Sequence, residues 1–270
     1  VALLNTWVNV LREEEKVEIL TAQITQADLT NPDAIVAQQA KEILQHLRSL
    51  PFDVQEIIVR HVINSTQGMA RWTQKGPNVE DEKEMDDYMF EVAGRVGYLV
   101  TQLFAWYSIT IRRKEEEIMP LAREFGLGLQ TVNVIRGLRE DFERGWVYVP
   151  TKYLHDLGIT KEQLFDAQHR ELALQVLDML TEKAERHLQE ALKYIKSLPW
   201  WQHGIRLGCI FPLMFAIRTL AVCRRNAQVF ESEAKITRNE VKKIVLDSTL
   251  WGWSNAWLDR YYQELNTVKP

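Results

Sequence analysis

The feature that most restricts this chain is the recurrence of apolar residues at three- and four-residue intervals along almost its whole length. In "DAIVAQQAKEILQHLRSL", Val36, Ala40, Ile43, Leu44 and Leu47 fall on one stripe of a helix, and "SLPFDVQ" then supplies a proline break before the next element. Only 12 glycines and 8 prolines punctuate 270 residues, so the pattern reads as all-α. The spacing predicts helices near residues 1–22, 32–49, 52–74, 83–110, 114–125, 127–144, 151–156, 161–165, 167–197, 201–226 and 234–265. Two polar connections, "TQKGPNVEDEKEMDD" and "RGWVYVPTKYLHDLGIT", lack the character of flexible linkers. No repeat of fixed period is visible, and one compact helical domain over residues 1–270 is expected.

Composition narrows the function classes. Hydrophobic residues make up 46% and charged residues 26% of the chain, which is enough to build a folded core. A net charge of -4 supplies no basic field for nucleic acid, which is excluded as a general partner. Cys209 and Cys223 lie in one apolar region and read as buried thiols, consistent with a reducing cytoplasm. The most apolar stretch, "LGCIFPLMFAI", is bounded by Arg206 and Arg218 and is too short to span a bilayer easily. It reads as a buried helix, with a membrane-touching element as the alternative. The acidic run "REEEKVE" reads as a solvated surface. His61, His155 and His203 show no metal-ligand spacing and read as structural. No secretory signal opens the sequence, and Val1 in place of Met leads us to expect that native N-terminal residues are missing.

Two segments stand apart from this background. Gln130, Asn133, Gly137 and Asp141 are spaced by three, four and four residues, which puts two amides, a missing side chain and a carboxylate on one helical face. The surrounding "NVIRGLREDFERGW" is dense in charge, so a solvated face is the alternative reading. In "DDYMFEVAGRVGYLVTQLF", Ala93, Gly94 and Gly97 either allow two helices to approach closely or leave room for a ligand between them.

These two segments resemble the motif regions of the squalene and phytoene synthase family, which read approximately D-Y-C-x-x-V-A-G-x-V-G and L-Q-x-x-N-I-x-R-D-x-x-E-D-x-x-R-G-R-x-Y-x-P. "HVINSTQGMARW" resembles the helix before the first region. "FPLMFAIRTLAVCRRNAQVF" with "AKITRNEV" resembles the C-terminal portion of squalene-forming members. The resemblance implies an all-α isoprenoid synthase fold around a deep apolar cavity. It also implies head-to-head joining of two prenyl diphosphates such as farnesyl diphosphate, with Mg²⁺ bridging the leaving diphosphate and NADPH as hydride donor where squalene is the product. Hard Mg²⁺ seeks carboxylate oxygens, and a carbocation needs a dry, aromatic-lined cavity. The resemblance further implies catalytic roles for Tyr88, Arg136 and Asp141. Gln130, Asn133, Val92, Ala93, Gly94, Asn5 and Asn9 would contact substrate, and Asp141 would bind metal, joined by Asn5 and Asn9 in a reduced set. It leaves room for a membrane-peripheral location for product release.

The departures from the family pattern weigh on this reading. Gly137 stands where the family carries the first aspartate of the second acidic motif. At the start of the chain, "NTWVN" aligns with D-T-x-x-D, so that Asn5 and Asn9 replace both aspartates. Amide oxygens can ligate Mg²⁺ but add no charge, which removes about three formal negative charges from the metal site. A family segment of Ser-Arg-Thr-Phe type is expected to lie ahead of Val1. Two function classes follow. One is a squalene-synthase-like prenyltransferase giving presqualene diphosphate, squalene or a related C30 product. The other is a catalytically degenerate relative that binds an isoprenoid or lipid, or serves as an assembly scaffold.

Overall fold

The computed structural model describes residues 1–24, 32–76 and 78–267, and among them it contains helices and no strand. The chain divides into two compact units, Val1–Gly76 and Pro77–Pro270.

The first unit comprises α1 (Ala2–Leu11), α2 (Val17–Ile24), α3 (Pro32–Gln38), α4 (Ala40–Arg48) and α5 (Phe52–Lys75). Its core joins Val10, Leu11, Leu20, Ile24, Ala40 and Leu44, with Trp7, Val59, Val62 and Ile63 packed against them. The periodicity predicts one helix over 1–22, but α1 stops at Leu11 because Glu13 takes a left-handed φ of 62°. The acidic run forms this corner. Glu18 pairs with Lys41 at 3.0 Å and Glu13 with Arg48 at 3.4 Å, all of them exposed to solvent.

The second unit begins with α6 (Glu82–Met89), whose Asp81 caps the amide of Glu84. A π-helical turn, Phe90–Gly94, leads into α7 (Arg95–Tyr107) and the short α8 (Ile109–Arg112). There follow α9 (Glu115–Arg136), α10 (Leu138–Glu143), α11 (Thr151–Asp156), α12 (Arg170–Ser197), α13 (His203–Cys223), α14 (Arg238–Trp251) and α15 (Asn255–Asn266). Along α12, Ala173, Val176, Leu177, Leu180, Ala184, Leu188, Ala191 and Ile195 are all fully buried. That stripe recurs every three or four residues, and α12 lays it against α9.

Two predicted boundaries move for local reasons. The break expected near residue 126 is absent, and α9 runs through Gly126 to end at Gly137. The helix expected over 234–265 divides at Gly252, where Ser254 caps the next helix by accepting from the amide of Trp257. The "LGCIFPLMFAI" stretch lies within α13. This helix is long and apolar enough by composition to cross a membrane, yet 61% of its most apolar window is buried inside the protein. It is a core helix, and Cys209 and Cys223 on it are free, buried thiols.

Candidate functional site

Within the second unit, residues of the π-turn, α7, α9, α12 and α13 line an open-sided pocket of about 310 Å³, at which Val96, Asn133 and Gly208 are exposed. Its walls are apolar: Val92, Ala93, Val96 and Val100 face Ala122, Phe125 and Leu129, and the rings of Tyr194 and Pro212 close the space. The small residues make this arrangement possible. A Cβ on Gly97 would lie 2.1 Å from the carbonyl oxygen of Ala122, and one on Gly126 would lie 2.5 Å from that of Ala93. No side chain fits at either position, so the two backbones touch there and the cavity opens beside the contact. Close packing and ligand space, which the sequence offers as alternatives, are both realised. Val92 and Ala93 line the wall, whereas Gly94 is buried in the π-turn with the Phe90 ring 2.5 Å from where its Cβ would be.

Gln130 and Asn133 form the polar end of the cavity. Beyond them α9 stops, yet the stripe continues, because the Asp141 amide donates to the Gly137 carbonyl at 2.9 Å. A Cβ on Gly137 would stand 3.9 Å from Oδ2 of Asp141, so positions 137 and 141 do share a face. Burial pushes the Asp141 carboxyl above its usual range; Arg144 opposes this and Glu140 adds to it. Tyr88 lies close by, its ring stacked on Tyr148 at 4.5 Å, and Tyr148 stacks in turn on Trp146 at 5.9 Å. The Tyr88 and Tyr148 hydroxyls are hydrogen-bonded, and burial, this bond and the nearby Asp141 charge all raise the pKa of Tyr88. At neutral pH Tyr88 is a proton donor with no tendency to ionise. Cys209, also on the cavity wall, has its thiol pushed up to about 12 by burial.

Arg136 sends its Nε to 3.0 Å from Glu233, an ion pair that lacks the alignment of a hydrogen bond. In the first unit Asn5 is exposed on α1, and Asn9 donates its amide to Glu15 at 3.1 Å. Among the described residues no three His, Cys, Asp or Glu side chains are placed to hold a metal ion. The donor set of Asp141 with neutral amides, and with no side chain at Gly137, does not fit a carboxylate-rich magnesium site. A carboxylate that burial already disfavours as an anion cannot by itself supply the missing charge.

The sequence reading did not single out a buried ionic network beside the cavity. Lys183, 1% exposed, is paired with Asp86 and lies 3.0 Å from His187 Nε2, while His187 Nδ1 meets Glu124 at 2.5 Å. Burial opposes protonation of His187, but its bonds to Asp86 and Glu124 outweigh this and raise its pKa. Burial likewise opposes ionisation of Asp86, and His187 and Lys183 overcome it to hold that carboxyl below its usual range. The network joins α6, α9 and α12 two residues from Tyr88 and one from Phe125. Its only signal in the sequence was Lys183 and His187 spaced by four beside the buried stripe of α12.

Comparison with known proteins bears on the family and the fold. The pattern described as squalene/phytoene synthase matches residues 2–240. Squalene synthase of Bos taurus is 29% identical over 237 residues, covering 86% of this chain and 55% of that protein. The Schizosaccharomyces pombe enzyme is 32% identical over 177 residues, covering 64% of this chain and 37% of its own length. The chain thus spans about half the length, or less, of these relatives. Among solved structures, TcSQS with the ligand BPH1237 superposes with a TM-score of 0.79 at 21% identity, over 97% of this chain and 82% of that one. A dehydrosqualene synthase in complex with a ligand gives 0.60 at 14% identity, over 97% and 84% of the two chains. The fold is therefore the all-α isoprenoid synthase fold, and by the match across its motifs the chain belongs to the squalene/phytoene synthase family.

Proposed function

We propose that this chain binds the isoprenoid chain of a prenyl compound of the farnesyl class in the α7–α9–α13 cavity, and that it does so without efficient condensation. The observation that carries the reading is the pairing of a formed apolar cavity with a depleted set of anionic donors. Ligand cavities run from roughly 300 to 1,000 Å³, so about 310 Å³ is room for one apolar chain. Departure of diphosphate requires its developing charge to be neutralised, and electrostatic stabilisation of that kind usually contributes most to the rate of such reactions. Asp141, Asn5 and Asn9 present one formal charge where the family pattern has four. Gln130 and Asn133 provide neutral hydrogen-bonding groups in the lining and would orient the head of a ligand there.

The second reading is the reaction of the family: head-to-head condensation of two farnesyl diphosphates with loss of diphosphate. Its product would be presqualene diphosphate, squalene with NADPH as reductant, or a related C30 compound. The presence of Tyr88, Glu140 and Asp141 at positions that match the family's motifs favours it.

One experiment separates the two. The natural full-length protein is titrated with farnesyl diphosphate and with farnesol by calorimetry, and pyrophosphate release is assayed with Mg²⁺ and NADPH present. Saturable binding with pyrophosphate at background is expected, whereas release with a C30 product establishes the second reading. Gly208 supplies the control, because it lines the cavity and a Cβ there meets nothing within 4 Å. Gly208→Phe adds a ring at the pocket lining and is expected to weaken binding, while replacing a helical glycine helps α13 by up to about 1 kcal/mol. Binding unchanged in Gly208→Phe would remove the cavity from the proposal.

A further inference from the structure

The pocket of the second unit is open along one side but shut at one end, and the side chain that shuts it is tied in place. Tyr194 of α12, 3% exposed, belongs to the lining and meets the Phe125 ring edge-on at 5.7 Å. Its hydroxyl donates to Oγ1 of Thr101 at 2.8 Å, because Thr101, itself fully buried, gives its own proton to the Gly97 carbonyl at 2.8 Å. Gly97 is where the backbone of α7 touches that of α9 at Ala122. The relay thus pins the Tyr194 ring to the tightest helix contact of the wall, and turning the ring aside would strand a buried hydroxyl.

The place of Tyr194 gives the pocket a depth. Gly126 meets Ala93 while Gly97 meets Ala122, so the segment 93–97 and α9 run antiparallel. Gln130 and the exposed Asn133 therefore lie at one end of the lining, and Ala122, Phe125 and Tyr194 at the other. Asn133 and Phe125 are eight residues apart on α9, a rise of about 12 Å. An extended carbon chain advances about 1.2 Å per bond, at the pace of an extended backbone. The main chain of a farnesyl group, with eleven bonds, then spans about 13 Å, and that of a geranylgeranyl group, with fifteen, about 18 Å. We infer that Tyr194 is the specificity-determining residue of this pocket, whose ring admits a prenyl chain of three isoprene units and stops a fourth. The inference rests on the binding reading above. A fourth unit has to displace a ring held by a buried hydrogen bond or leave through the open side into water, and either route costs affinity.

The test is titration of the natural full-length protein with geraniol, farnesol and geranylgeraniol by calorimetry. Farnesol is expected to bind about tenfold or more tightly than geranylgeraniol, the discrimination that a closed apolar wall achieves against excess length. It is also expected to bind more tightly than geraniol, which leaves part of the lining uncovered. Tyr194→Ala opens the shut end and is expected to raise the affinity for geranylgeraniol about tenfold while changing that for farnesol less, so that the preference narrows or inverts. Tyr194→Leu keeps more of the core filled and is expected to shift the preference the same way by a smaller factor. Thermal unfolding followed by circular dichroism reports that each variant is folded. Equal affinity for farnesol and geranylgeraniol in the unaltered protein overturns the inference while the binding reading stands, as does an unchanged preference in a folded variant. Binding of none of the three alcohols overturns both.

Discussion

At position 137 a single hydrogen atom stands where the family pattern has a carboxylate, and that atom governs the chemistry of its neighbour. Asp141 is half-buried, with its pKa raised by desolvation, which Arg144 opposes and the adjacent Glu140 reinforces. Gly137→Asp would place a new carboxylate next to Asp141, since the Cβ already points within 3.9 Å of it; the Asn133 carbonyl, at 3.3 Å, must yield by a few tenths of an ångström. The expected outcome is Mg²⁺ binding measurable by calorimetry in the variant and weaker or undetectable in the parent. A parent that binds Mg²⁺ as well as Gly137→Asp would show that the depleted donor set is not limiting. Tyr88 illustrates the same logic with the opposite result. Its ring is fixed by the stack on Tyr148 and its hydroxyl stays protonated, so it offers a neutral hydrogen-bonding group and no charge.

Among the elements, α12 packs most extensively against α9, and it does two jobs on adjacent faces. One face is the buried apolar stripe against α9. Leu177→Ala on it is expected to cost about 2–5 kcal/mol in urea unfolding, through lost burial and the cavity left behind. The adjacent face holds Lys183 and His187 in the buried ionic network. Because the folded pKa of His187 is raised above its unfolded value of about 6.5, its protonation contributes stability that is fully present below that value. The contribution is lost as pH rises through the folded pKa. Asp86 and Glu124, held below their usual range, contribute in the opposite sense: their stabilisation is present above the unfolded carboxylate values and is lost on acidification. The urea midpoint is therefore expected to decline as pH is raised from about 6 to 9. His187→Gln should remove that decline and start from a lower stability at the acidic end. A parent midpoint that stays level over this range would show that the network does not titrate as a unit.

Taken as a whole molecule, the protein shows how far local pattern reaches. The all-α class and most helices were legible because they depend on spacings of three and four residues within one segment, and the two motif regions were legible through their resemblance to the family. Corners set by a single backbone angle, as at Glu13, or by a tight approach, as at Gly252 against Ser248 and Ile210, left no periodic trace, and the predicted helices ran through them. The polar stripe from Gln130 to Asp141 was readable for the same local reason, and it survived the break at Gly137 because one backbone hydrogen bond carries the turn onward. What the sequence alone determined was the set of available groups: neutral amides, one aspartate and small residues at helical spacing. Only the tertiary structure decided their use. The contact of Gly97 with Ala122 and of Gly126 with Ala93 turns small residues into a cavity wall. The convergence of α6, α9 and α12 turns Asp86, Glu124, Lys183 and His187 into one network, and the bond from Tyr194 to Thr101 holds a ring across one end of the pocket. Each of these depends on the distance between residues remote in the chain, a quantity that no local spacing encodes.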